Sequence, residues 1–167
     1  LTWDSRPDLM PAVIAAQGFT LETGYHINCN RSLDQIAANP TQVCVPVVPE
    51  FGYFQDALGS VDLDYFTVQP FWTPTSTLGS DIQVITDMEA LILNRPDGPV
   101  TTLFLYQAWG SQSVMTDGSW LDDVDDHPDT PSQPQREYFT HLYAHLDAAI
   151  DRPVRLIPVG PVIHEIN

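Results

Sequence analysis

Lysine is absent from the 167 residues, and the six basic residues are all arginines, set against 22 acidic residues for a net charge of −16. A surface with this charge repels phosphate backbones and anionic lipid headgroups. The composition therefore argues against nucleic-acid binding and against a membrane-surface role. It leaves enough hydrophobic residues, 43% of the chain, for the core of one domain.

Long apolar runs are also missing, so no segment reaches the length of a membrane span, and no signal peptide is visible. Cysteine is scarce as well. Cys29 and Cys44 flank a short helix-like segment. In an oxidising compartment they could form a disulfide that closes the loop between them, and the alternative is two free, buried thiols. Two isolated cysteines do not make a zinc site by themselves.

The chain begins at Leu1 without an initiator Met, and Gly160–Asn167 opens a helix without a cap. A protein of alternating helices and strands is not expected to begin with a helix whose preceding strand is absent. We therefore expect residues 1–167 to form a single partial domain, with other parts of the fold outside this segment.

Hydrophobic periodicity predicts alternating helices and strands. Apolar residues at helical spacing, with capping and breaking residues at the ends, predict helices over Arg6–Gln17, Ser32–Ala38, Phe51–Leu58, Ser80–Leu93 and Pro134–Ile150. Alternating or continuous apolar runs predict strands over Phe19–Ile27, Leu63–Val68, Val100–Tyr106 and Val154–Val159. This order is typical of an α/β fold in which a parallel sheet carries helices on both faces.

Residues 107–135 form a long acidic loop insertion in this prediction, of a length that proteins usually keep for function. Alternate carboxylates can bind calcium, but the spacing of the aspartates matches no EF-hand. A solvated acidic loop is the favoured interpretation.

Polar residues follow each predicted strand, where parallel sheets form their ligand sites. These strand ends are Asn28–Arg31, Gln69–Thr75, Gln107–Gly110 and Gly160–His164.

Together with Leu1-Thr2-Trp3-Asp4, these strand ends resemble the sequence blocks of the SGNH (GDSL-like) hydrolases, which are serine esterases. Leu1-Thr2 is similar to the tail of the family's Gly-Asn/Asp-Ser-Leu-Thr motif, with the serine one residue before Leu1. Asn28-Cys29-Asn30-Arg31-Ser32-Leu33 is similar to the second block, and Asn30 stands where a Gly is usual. Val68-Gln69-Pro70-Phe71-Trp72 is similar to the third block, with Gln69 in place of the usual Asn.

The resemblance implies a flavodoxin-like three-layer α/β/α fold whose first, central strand lies outside this chain. It implies that the Asn30 N–H and the Gln69 side chain are oxyanion donors. The family's base lies in an Asp-x-x-His block, which occurs nowhere in the 167 residues. Nucleophile and base are therefore expected outside the segment, which alone is predicted to be inactive. His164 is the visible candidate base, although a histidine one turn into a helix is more often a surface residue.

The expected activity is hydrolysis of a carboxylic ester, for example an O-acetyl group on carbohydrate, by a secreted or periplasmic protein without metal or cofactor. Small-molecule or carbohydrate esters are the expected partners. Trp72 and Trp109 follow neighbouring strands and could wall an acyl or sugar pocket, or pack under their loops. The alternative function is a non-catalytic α/β module that binds a saccharide or a protein through these tryptophans and the acidic loop.

Overall fold

The computed structural model describes residues 7–71, 76–95, 101–109 and 136–166. These residues form a mixed α/β fold with a three-stranded parallel sheet. The strands are β1 (Tyr65–Val68), β2 (Thr102–Tyr106) and β3 (Val154–Ile157). A short 3-10 helix (Pro7–Leu9) precedes six α-helices: α1 (Met10–Ala15), α2 (Leu33–Ala38), α3 (Phe54–Ser60), α4 (Leu78–Leu93), α5 (Arg136–Ala149) and α6 (Val159–Ile166).

The strands follow one another across the sheet in the order β1-β2-β3, with α4 between the first two and α5 between the last two. Val68 lies beside Leu105, and Leu105 lies beside Leu156. All three strands therefore end at the same edge of the sheet, which we call the carboxyl edge. The predicted strands over residues 63–68, 100–106 and 154–159 are confirmed, but β1 and β2 begin two residues later than predicted and β3 ends two residues earlier.

The hydrophobic core lies between one face of the sheet and the helices α4 and α5. Leu103 and Leu105 of β2 are 1% and 0% exposed, while Phe104 and Tyr106, on the opposite face, are only half-buried. Since side chains alternate along a strand, one face of β2 is fully covered and the other is not. The opposite face of β2 is partly covered by the described residues, and the flavodoxin-like three-layer arrangement stays a prediction.

Helix α4 begins at Leu78 rather than at Ser80, because Thr77 is its N-cap. The Thr77 hydroxyl accepts a hydrogen bond from the Ser80 N–H at 3.0 Å, and the Ser80 hydroxyl accepts one from the Thr77 N–H at 3.1 Å. This reciprocal pair is a capping box, which satisfies two donors at the start of the helix. Ser32, by contrast, precedes α2 as predicted.

The predicted strand over Phe19–Ile27 does not form. Only Ile27 pairs, in an isolated antiparallel bridge with Val45. Phe19 is 70% exposed, and a Cβ atom at Gly24 would lie 2.4 Å from Cγ of Phe51, so the backbone there packs tightly against a side chain of another loop. An alternating pattern makes a strand only when a neighbouring strand accepts its hydrogen bonds, and none does among the described residues.

Cys29 and Cys44 form a disulfide with a Cα–Cα distance of 5.7 Å, which decides between the two states that the sequence left open. The Cys44 N–H donates to the Ile27 carbonyl at 2.9 Å and the Cys29 N–H to Sγ of Cys44 at 2.9 Å. The disulfide and the Ile27–Val45 bridge together join residues 27–29 to residues 44–45. We call this pair of segments the disulfide clip.

Two polar residues at the opposite, amino edge of the sheet, Arg95 and Thr101, are buried and hydrogen-bonded. The Arg95 side chain donates to the Val61 carbonyl and to the Thr101 hydroxyl, and that hydroxyl donates to the Leu63 carbonyl. Arg152, just after α5, forms an ion pair with Glu89 of α4. The hydrogen bonds fix the residues that lead into β1 and β2, and the ion pair holds α4 to the connection between α5 and β3. We therefore assign these contacts a structural role.

The double variant Cys29→Ala/Cys44→Ala should be less stable by about 3 kcal/mol, because the bridge closes a loop whose ends are 15 residues apart in the sequence and so restricts the unfolded chain. Urea unfolding of the oxidised wild type and the variant measures the difference. Addition of a reductant is the control, since it should destabilise the wild type and leave the variant unchanged. Equal midpoints for the two oxidised proteins would contradict a stabilising role.

Candidate active site

The carboxyl edge collects the polar residues that follow the strands. Gln69 follows β1, and Gln107 and Trp109 follow β2. The Gln107 N–H donates to the Ile157 carbonyl at 3.0 Å, and the Gln107 carbonyl accepts from the Gly160 N–H at 3.2 Å. The segment after β2 is therefore joined directly to the end of β3 and to the first turn of α6. This edge is the candidate site.

Asn30 has a left-handed backbone conformation, with φ of 55°, and it is the one non-glycine residue with positive φ in the part of the chain that the structure describes. Glycine is the usual residue in this conformation, and Asn is among the few others that tolerate it. The side chain is exposed. Asn30 thus occupies a backbone conformation that suits the Gly of the SGNH pattern.

The segment that carries Asn30 is held on both sides. The disulfide clip fixes Cys29 on one side. On the other, the Ser32 N–H donates to the Gln35 side chain at 3.3 Å, which completes the start of α2. Helix α2 packs against α4, and Leu33 belongs to the hydrophobic core. A helix packed on the core therefore fixes the far end of the segment.

Three of the other predicted site residues are half-buried in the structure: Gln69, Trp109 and His164. Gln69 lies one residue beyond β1, and Trp109 lies three residues beyond β2. His164 is in the second turn of α6, which follows β3. The topology places these three after the carboxyl ends of successive strands. Trp72 and residues 110–135 of the acidic loop lie outside the described residues.

A buried carboxylate that the sequence analysis did not single out lies between α4 and α5. Asp81 is 2% exposed, and one of its oxygens accepts a hydrogen bond from the Tyr138 phenol of α5. The other oxygen, Oδ1, has no hydrogen-bond partner in the part of the chain that the structure describes. Nearby on α2, Asp34 accepts a hydrogen bond from the fully buried Ser32 hydroxyl. Three helices therefore meet around two carboxylates and two hydroxyls.

Burial raises the pKa of Asp81 to about 6, and the charge of Asp34 acts in the same direction, while the Tyr138 hydrogen bond opposes both. Burial also raises the pKa of the Tyr138 phenol, which stays protonated and donates to Asp81. The sequence did contain a signal for Asp81. With Ile85, Met88 and Ile92 it lies at helical spacing on the buried stripe of α4, where a carboxylate is unusual.

Two buried amide groups in segments predicted to follow strands also have no hydrogen-bond partner among the described residues: Nδ2 of Asn28 and Oε1 of Gln107. A buried amide group without a hydrogen bond costs about 1–3 kcal/mol, so each such group calls for an explanation. Asn28 lies in the disulfide clip region and Gln107 directly follows β2. Both residues lie in segments that the sequence predicted to follow strands, but neither was predicted as a site residue.

Comparison with known proteins gives no relative. No family model, no curated protein and no solved structure matches the chain. Among the described residues, no three His, Cys, Asp or Glu side chains are grouped so that they could hold a metal ion. None of the helices in the described ranges is both long and apolar enough to cross a bilayer.

Asp81 should make the protein less stable as the pH rises. Its folded pKa of about 6 lies above the ordinary 3.8, so its contribution is complete below pH 4 and is lost as the pH rises through 6. The loss corresponds to about 3 kcal/mol at most. Asp81→Asn should abolish this part of the pH dependence and should be at least as stable as wild type at pH 7.

Urea unfolding between pH 4 and pH 8 measures this difference. Asp147→Asn is the matched control, because Asp147 is exposed on α5 and its replacement should leave the wild-type pH profile unchanged. An Asp81→Asn profile parallel to that of wild type would contradict the assignment.

Proposed function

We propose that this segment is part of an SGNH-type serine hydrolase that acts on a carboxylic ester, with the nucleophilic serine and the catalytic histidine outside the 167 residues. The observation that carries the proposal is Asn30. It follows the disulfide clip in a left-handed conformation, at the position where the SGNH pattern has its oxyanion-hole glycine. A residue other than Gly in this conformation is uncommon, and such residues cluster at functional sites.

The chemistry of ester hydrolysis explains why polar donors at the carboxyl edge matter. When a serine attacks the ester carbonyl, negative charge develops on the carbonyl oxygen, and fixed N–H donors stabilise it. The Asn30 N–H and the Gln69 side-chain amide are the donors that we propose here. Asn30 N–H donates to no backbone carbonyl of the described residues, which supports its availability.

Ser32 is not a suitable nucleophile, although it lies close to Asn30 in the sequence. Its side chain is fully buried and its hydroxyl donates to Asp34, two residues away in the same cap. A nucleophile needs access to substrate and a neighbouring base. Ser32 is therefore not the nucleophile that we propose, and the SGNH pattern indicates a serine one residue before Leu1.

Trp109 and Trp72 are the proposed walls of the substrate pocket, because in the sequence Trp109 follows β2 and Trp72, outside the described residues, follows β1. Flat aromatic side chains suit an acyl group or a sugar ring, and an O-acetylated carbohydrate is the substrate class that we favour. His164 remains a candidate base of lower rank. The disulfide is compatible with an oxidising compartment, so we propose a secreted or periplasmic enzyme.

A fluorophosphonate probe tests the proposal on the protein encoded by the full reading frame. We expect covalent labelling of one serine. The mass increase should map to the serine immediately before Leu1-Thr2. The 167-residue segment expressed alone is the control and should stay unlabelled. Absence of labelling in the folded full-length protein would contradict the hydrolase and favour a non-catalytic saccharide-binding module.

Gln69→Ala in the full-length protein should lower kcat by about 100-fold, the cost of removing one oxyanion donor from an acyl-transfer site. Gln55→Ala is the matched control, because Gln55 is exposed on α3 and should tolerate the same change without loss of activity. Initial rates with p-nitrophenyl acetate give kcat and KM for both variants. An unchanged kcat for Gln69→Ala, with normal folding, would reject the donor role.

A further inference from the structure

We propose that the Cys29–Cys44 disulfide positions the Asn30 N–H for catalysis, so that reduction of the disulfide switches the site to a low-activity state. This inference rests on the proposed function and deepens it, because it adds a redox control of the same oxyanion donor. The disulfide would then be a positioning device in addition to a stabilising one.

The covalent geometry joins the disulfide to the donor. Cys29 immediately precedes Asn30, so the bond that fixes Cys29 also fixes the peptide unit that carries the Asn30 N–H. Asn30 holds a left-handed conformation, which costs a non-glycine residue free energy and persists only where the surroundings enforce it. The disulfide is the nearest covalent constraint that can enforce it.

Side-chain packing holds the residues just before the disulfide, because the His26 ring lies edge-on to Tyr53 and Phe54 and Ile27 is buried. Residues 19–26 form no strand, and the Ile27–Val45 bridge is isolated. The Cys29 N–H donates to Sγ of Cys44, so this hydrogen bond also depends on the position of the cysteine pair. Nδ2 of the neighbouring Asn28 has no hydrogen-bond partner among the described residues. Once the disulfide opens, the described anchors that remain are the packed residues His26 and Ile27 on one side and the cap of α2 at Ser32 on the other, so the residues between them lose their covalent constraint.

A reductant can reach the bond. Both Cys29 and Cys44 are exposed, although Ile27 and Ser32 on either side of Cys29 are buried. A dithiol reductant attacks one sulfur and displaces the other. The S–S bond breaks, two thiols form, and the dithiol is oxidised to a disulfide as it transfers two electrons and two protons. Reoxidation reverses each step.

The test is the steady-state kinetics of the full-length protein, oxidised and after reduction with dithiothreitol, at a temperature well below the melting point of the reduced form. We expect kcat to fall at least tenfold on reduction, with KM changed by less than twofold and with recovery after reoxidation. Cys29→Ala/Cys44→Ala should show the same low kcat and no response to dithiothreitol. Hydrogen exchange of a peptide that spans residues 28–31 should become faster on reduction.

Two results would overturn the inference, and they are distinguishable. If reduction lowers the melting temperature while kcat stays unchanged, the disulfide stabilises the fold and does not position the donor. If the oxidised protein neither turns over an ester nor reacts with a fluorophosphonate, the proposed hydrolase is wrong, and the positioning role fails with it.

Discussion

Packing of α4 and α5 on one face of a parallel sheet is the constraint on which the rest of the structure depends. Parallel strands must be joined by crossovers, and here each crossover helix covers the same buried row, which includes Leu103 and Leu105. As a result all three strands run in one direction and end together. For this reason the carboxyl edge brings together Gln69, Trp109 and α6, whatever reaction occurs there.

The same packing also buries a carboxyl group, which lowers the stability of the fold. The buried stripe of α4 contains Asp81, whose one oxygen accepts a hydrogen bond from Tyr138 and whose other oxygen has no partner among the described residues. A carboxylate in the core reduces stability when it is ionised, so its presence on the stripe is not explained by packing alone. It lies where α2, α4 and α5 meet, and α2 is the helix that anchors the Asn30 segment. Helix α2 therefore contacts the core helix that carries Asp81 and also anchors the segment that carries Asn30.

Sequence patterns correctly predicted the helices and strands that pack against elements close to them in the sequence. The helix over residues 80–93 and the strands over residues 100–106 and 154–159 follow from local periodicity and from each other. Phe19–Ile27 has an equally regular alternation, but a strand needs a neighbour, and the period of one segment carries no information about its neighbour. The disulfide and the backbone angle of Asn30 depend on loop geometry, which residue types only suggest. Asp81 was detectable as a charged residue on an apolar stripe, whereas its bond to Tyr138 joins residues 57 apart.

The central claim is that an SGNH-type nucleophile and base flank this segment, and sequencing of the coding DNA on both sides tests it most directly. The account predicts a Gly-Asn-Ser or Gly-Asp-Ser triplet immediately before Leu1, behind a β-branched strand, and an Asp-x-x-His block after Asn167. A start codon or an unrelated linker before Leu1, together with a stop codon after Asn167, would contradict it.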